Sequence, residues 1–141
     1  MQKITRVGVY AFVAKDRDLL LVQQKKGPYA GKFDFPGGGI EFGESLEQAL
    51  RRELAEEISF EFDSFHLIDN LTTTIAVPET TSTEPYTFFQ IGLIYGIEGF
   101  RPMKEQPTRE FDPIWVDPKT LSAEQCSNFL WQFLQKHPSQ T

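Results

Sequence analysis

Three glutamates, Glu53, Glu56 and Glu57, stand at i, i+3 and i+4 in a stretch, Glu44 to Ile58, that carries no proline or glycine. Strong helix formers dominate it, so the stretch is expected to be helical. Residues at those spacings share a helix face, and the three carboxylates therefore converge along one edge. Like charges so placed each cost roughly a few tenths of a kcal/mol unless neutralised. They also lie near the helix C-terminus, where the macrodipole disfavours anions. A bound cation relieves both penalties, and oxygen-only ligands select a hard ion, Mg²⁺ or Mn²⁺, over Zn²⁺. Taken alone, such a triplet reads more often as a solvated acidic face. Its neighbours shift that balance. A glycine-rich turn precedes the helix, Glu44 is expected in its first turn, and Arg52 could orient a carboxylate through a bidentate contact.

The remaining elements must hold that helix in place. Val7, Val9, Ala11 and Val13 alternate with Gly8, Tyr10 and Phe12, the pattern of a strand buried on both faces. Asp16-Arg17-Asp18 reads as a turn and Leu19–Gln24 as the returning strand. The segment from Lys25 to Lys32 contains Gly27, Pro28 and Gly31 and reads as loop. Phe33–Phe35 fits a short strand, after which Gly37-Gly38-Gly39 is expected to break regular structure. Leu46, Leu50, Leu54 and Ile58 recur every four residues and mark the buried stripe of the acidic helix. Phe60–Val77 and Tyr86–Ile97 read as strands of a hairpin around the polar loop Pro78–Pro85. Phe100–Phe111 reads as loop and Ile114–Val116 as a short strand. A last helix is expected from about Ser122, capped by Ser-x-x-Gln, with Cys126, Phe129, Leu130, Phe133 and Leu134 inside. Trp115 and Trp131 are expected in the core, and the tail from Pro138 is expected to fray.

These elements fit one α/β domain over residues 1–137 with a mixed sheet. A chain of 141 residues with thirteen phenylalanines can fill a core without disulfides or a structural metal. Cys126 is the only cysteine, which excludes an internal disulfide and a cysteine zinc site. His66 and His137 are too few and too scattered for a histidine metal site. Twenty acidic residues against fourteen basic ones, a net charge of −6, argue against a nucleic-acid partner. No apolar run approaches the ~20 residues of a membrane span. Cytoplasmic localisation is the expectation.

The segment from Gly38 to Phe60 resembles the Nudix box, written G-x5-E-x7-R-E-U-x-E-E-x-G-U with U aliphatic. Gly38, Glu44, Arg52, Glu53, Leu54, Glu56 and Glu57 fall on the required positions. Phe60 takes the final apolar position as an aromatic. Gly31-Lys32-Phe33, Phe35-Pro36-Gly37-Gly38 and Glu41-x-Gly43-Glu44 are similar to the family's flanking segments. Ser59 departs, standing where the family has its second glycine. A left-handed exit there costs a non-glycine residue ~1 kcal/mol, so a strained or reshaped exit is expected.

The resemblance implies an α/β/α sandwich around a mixed sheet. It implies a hydrolase that uses Mg²⁺ or Mn²⁺ to cut a phosphoanhydride in a nucleoside diphosphate linked to another group. Such substrates are nucleoside triphosphates, ADP-ribose-like compounds and nucleotide sugars. Glu53, Glu56 and Glu57 would hold the metal, with a carbonyl near Gly38 contributing. Arg52 would orient a carboxylate, and Glu44 would support the loop–helix network. The general base stays open between Glu53 and Glu56, with Glu98, Glu105 and Glu110 as downstream candidates. Lys25, Lys26 and Lys32 could reach phosphates and Tyr29 could stack on a base, a solvated basic loop being the competing reading. The alternative function is a non-catalytic nucleotide-binding regulatory module, which could lose box carboxylates that this chain retains. A homodimer is left open.

Overall fold

The computed structural model describes residues 2–105 and 109–138. In chain order the strands are β1 (Gln2–Phe12), β2 (Ala14–Lys15), β3 (Asp18–Gln23), β4 (Phe33–Asp34) and β5 (Gly37–Gly39). Helix α1 (Leu46–Ile58) follows, then β6 (Phe60–Glu61), β7 (Ser64–Val77), β8 (Tyr86–Glu98), β9 (Arg101–Pro102) and β10 (Ile114–Val116). Helix α2 (Asn128–Lys136) comes last among the described residues. The alternation around Val9 places β1 inside a four-stranded sheet of order β5-β1-β8-β7. β1 runs parallel to β8 and antiparallel to β5, so the sheet is mixed. β7 and β8 form the expected antiparallel hairpin. β10, β3 and β2 make a second sheet, with β4 paired to β3.

The two faces of β1 divide the core. Val9, Ala11 and Val13 pack with Ala49, Leu50, Leu54 and Ile58 of α1. Tyr10 packs on the other face with Phe129, Leu130 and Phe133 of α2. Helices thus cover both faces of a mixed sheet, the α/β/α sandwich that the resemblance implies. Gly92 lets α2 approach closely, because a Cβ there would lie 2.2 Å from the Phe129 ring. Among the described residues, no helix is long and apolar enough to cross a membrane.

Several expectations are corrected. The triple glycine is a strand, paired through Gly8↔Gly39, Val9↔Gly38 and Tyr10↔Gly37. A missing side chain is what allows it: a Cβ on Gly37 would meet the Val9 carbonyl oxygen at 2.1 Å, and its φ is +143°. Helix α1 begins after Ser45, whose side chain accepts from the Gln48 backbone N–H, so Glu44 stands just ahead of the helix. Leu46 is 37% exposed, and Ala49 joins the buried stripe. The expected last helix is two pieces. A turn of 3₁₀ helix spans Ala123–Gln125, and α2 starts beyond Ser127. Extended backbone at Cys126 bridges Phe33, and the Ser127 N–H bonds the Phe33 carbonyl at 2.9 Å, which overrides helix continuation. Trp115 is 37% exposed and rests on Phe100. Ser59 adopts the left-handed conformation itself, at φ 59° and ψ 42°, so the exit keeps its shape without glycine. Residues 106–108 of the expected loop and 139–141 of the expected tail lie outside the described residues.

Gly37→Ala is expected to destabilise the fold by roughly 2 to 5 kcal/mol, through a disallowed backbone and a clash with β1. Urea unfolding monitored by tryptophan fluorescence measures it, and a loss under about 1 kcal/mol would contradict the glycine argument.

Candidate active site

Arg52 projects from α1 between the carboxylates it was expected to serve. Its Nε and Nη2 donate to the two oxygens of Glu44 at 2.7 and 2.8 Å, a bidentate pair. Its Nη1 donates to Glu53 at 2.9 Å and to Glu56 at 3.4 Å. Nη2 also donates to the Gly39 carbonyl at 3.1 Å, and Glu41 stands 3.8 Å away. Because Glu44 precedes the helix cap, it can also accept the Glu41 backbone N–H at 2.8 Å and fix the entering loop. Its hydrogen bonds to Arg52 hold its pKa down to about 2.

The three box carboxylates occupy three environments. Glu56 is 58% exposed. Glu53 is largely buried, its carboxylate lying against Gly38, where a Cβ would be 2.7 Å from Oε2. Glu57 points inward beside Leu54 and accepts the Gly37 N–H at 2.6 Å. Burial raises the Glu53 pKa against the pull of Arg52. Burial pushes Glu57 up to about 9, and the charges of Glu53 and Glu110 push in the same direction. The triplet shares one ridge as its spacing requires, but it runs from solvent to core along that ridge.

Of the downstream carboxylates, Glu110 is the one brought here. Its N–H bonds the Glu56 carbonyl at 3.1 Å, and the Phe111 N–H bonds the Glu57 carbonyl at 2.7 Å. Free carbonyls at the end of α1 thus dock this segment. Lys25 holds it from the other side, donating to the Glu110 carbonyl at 2.5 Å and lying over the Phe111 ring. Among the described residues, no hydrogen bond or ion pair joins Glu98 or Glu105 to the ridge. Lys32 stands at the far end of its loop, close enough to Cys126 for its charge to act on the thiol. Lys26 is exposed. Tyr29 is buried rather than displayed on the loop, with its hydroxyl beside Thr73 of β7.

Sequence reasoning missed a hollow of about 130 Å³ on the opposite face of β5, lined by Arg6, Gly8, Tyr10, Gly39, Phe88 and Gln90. Gln90 donates to the Tyr10 hydroxyl at 2.8 Å and so fixes one wall. The signal was Gly8, a residue with no packing value inside an apolar strand.

The family model for the NUDIX domain matches residues 3–136. The chain belongs to the Nudix family. An ADP-ribose pyrophosphatase from Methanocaldococcus jannaschii is 43% identical over 51 residues, 36% of this chain and 30% of that protein. An oxidized purine nucleoside triphosphate hydrolase from Danio rerio is 45% identical over 53 residues, 38% of this chain and 34% of that protein. The chain thus spans about a third of the length of these curated relatives. A MutT NUDIX hydrolase from Burkholderia pseudomallei shares the fold, with a TM-score of 0.67 at 21% identity, covering 94% of this chain and 97% of that one.

Among the described residues, no three acidic, histidine or cysteine side chains converge as a ready metal cage. Arg52 satisfies Glu53 and Glu56 instead. The donor set nonetheless suits a hard cation: carboxylate oxygens only, crowded and partly desolvated, with the charge of Glu110 opposing ionisation of Glu53 and Glu57.

A pH dependence follows for the metal-free protein. Buried Asp34 is pushed up to about 7 and Glu57 to about 9. Both folded values exceed the unfolded ones, so their stabilising effect is complete below about pH 4 and is lost as pH rises through 7 and then 9. Urea midpoints in EDTA are expected to fall from pH 5 to 9. Glu57→Gln, which keeps an acceptor for Gly37, should flatten the fall above pH 7, and an unchanged slope there would refute the assignment.

Proposed function

We propose that this protein is a divalent-metal-dependent pyrophosphohydrolase that cuts a phosphoanhydride in a small nucleotide, a nucleoside diphosphate linked to another group. The observation that carries this reading is the Glu53–Glu56–Glu57 ridge, organised by Arg52 and faced by Glu110. Family membership and the names of the two relatives support it. Those names involve ADP-ribose and oxidized purine nucleoside triphosphates, both purine nucleoside diphosphate derivatives, and this chain is proposed to act within that class.

Glu53, Glu56 and Glu57 would hold Mg²⁺ or Mn²⁺, with a carbonyl near Gly38 in reach of the same edge. Bound there, the ion neutralises the diphosphate and lowers the pKa of water. Arg52 keeps Glu53 and Glu56 on one side of the helix and ties them to the Gly39 backbone. The Gly37 N–H holds one Glu57 oxygen and leaves the other for a ligand. Glu53 and Glu110 are the proposed acceptors of the water's proton. Lys25 fixes the backbone that carries Glu110 and so sets its approach.

Glu57→Gln is expected to lower kcat/KM at least about 100-fold with Mg²⁺ while circular dichroism and the unfolding midpoint in EDTA at pH 5 stay native. A panel of ADP-ribose, dGTP and a nucleotide sugar, with monophosphate release as readout, measures it. Normal turnover by the variant would refute the metal assignment. Tight binding without turnover by the wild type would favour the regulatory module.

Glu110→Gln separates the proton acceptors. If Glu110 is the base, kcat falls roughly 100- to 10,000-fold while Mn²⁺ binding, read by electron paramagnetic resonance, is retained. A near-normal kcat leaves that role to Glu53.

A further inference from the structure

Successive residues of a strand face opposite sides of a sheet. In β5, Gly38 faces the Glu53 carboxylate, and its neighbour Gly39 faces the guanidinium of Arg6. A Cβ on Gly39 would lie 2.9 Å from Arg6 Nη2 and 3.4 Å from Cζ and Nε. Arg6 thus fills the space that a side chain at position 39 would take. It lies across the thickness of one backbone from the carboxylate ridge.

β5 is the outer strand of its sheet, and Glu57 and Arg52 bond its outer edge at the Gly37 N–H and the Gly39 carbonyl, so the hollow and the ridge meet along that edge with one strand between them. On the Arg6 face lies the hollow, with the Phe88 ring and the fixed Gln90–Tyr10 pair as its walls. Arg6 stands at the hollow beside the glycine nearest the ridge.

The charges around it sharpen the point. Arg52 is engaged by Glu44, Glu53 and Glu56, Arg51 by Glu47 and the Phe62 ring, and Lys25 by the Glu110 carbonyl. Arg6 is exposed, and its side chain has no hydrogen bond or ion pair to any described residue. Its planar fork of donors matches phosphate oxygens, and among the described residues it is the uncommitted cation that lines the hollow.

We propose that Arg6 is a substrate-binding residue that grips the phosphate joining the nucleoside, seated in the hollow, to the anhydride on the carboxylate side of β5. Arg6 positions the substrate and takes no part in the bond cleavage. The proposal rests on the pyrophosphohydrolase reading, and its test keeps the two separable.

Full-length wild type, Arg6→Ala and Arg6→Lys are compared on ADP-ribose and dGTP with Mg²⁺. Arg6→Ala is expected to raise KM roughly 10- to 100-fold, with kcat within about threefold and the Mg²⁺ dependence of kcat unchanged. Arg6→Lys should recover part of the loss. Calorimetry without divalent ions then compares dGMP with deoxyguanosine. Arg6→Ala should weaken dGMP and leave deoxyguanosine unaffected. Equal dGMP affinities for the two proteins, equal weakening of both compounds, or an unchanged KM would overturn the proposal. A wild type that cleaves neither substrate overturns the functional reading instead, and the calorimetric comparison still judges Arg6. Because Arg6 is exposed, an unchanged thermal midpoint certifies the variant's fold.

Discussion

One guanidinium, that of Arg52, is the contact on which the arrangement of the site depends. It joins Glu44 ahead of the helix, Glu53 and Glu56 on it, and the Gly39 carbonyl on the neighbouring strand. Without that charge, Glu53 would be a largely buried anion crowded by other anions, a state far costlier than a paired one. With it, the loop, the helix and the edge of the sheet are locked in one geometry. Glu57 makes a second tie between the same two elements through the Gly37 N–H. The helix is thus fastened to the glycine strand by the same carboxylates that carry the proposed chemistry.

Much of this was legible from spacing. The i, i+3, i+4 glutamates share a ridge because helix geometry leaves no alternative, and the apolar alternation of β1 placed that strand between two packed layers. What was missed depended on partners remote in sequence. Three glycines look like a chain break until β1 supplies a surface that tolerates no side chain. Ser122–Gln125 reads as a helix start, yet the bridge from Cys126 to Phe33 ends it after one turn. Tyr29 looks like a loop aromatic, and tertiary packing buries it. The same holds for Glu110, one of three downstream glutamates equal in sequence. Only the free carbonyls at the end of α1 select it.

Ser59 shows how a family signature and a physical requirement differ. The requirement is a left-handed residue at the helix exit, and serine meets it at φ 59°. The cost, about 1 kcal/mol, is small against the burial of Leu50, Leu54 and Ile58 beneath the same helix. The signature residue has changed, and the left-handed exit that a glycine would favour is formed all the same.

The glycine strand has a consequence for diversification. Gly37, Gly38 and Gly39 border the carboxylates, β1 and the hollow, yet they offer no side chain to alter; one added at Gly37 collides with the β1 backbone, and one at Gly38 or Gly39 displaces the tip of Glu53 or Arg6. Change in this wall therefore disturbs either the fold, at Gly37, or a site residue, at Gly38 and Gly39. Drift toward a new ligand is more readily written on Arg6, Gly8 and Tyr10 of β1 and on Phe88 and Gln90 of β8, which line the hollow on the face away from the carboxylate ridge. A change of taste and a loss of chemistry are thereby separated onto opposite faces of one strand.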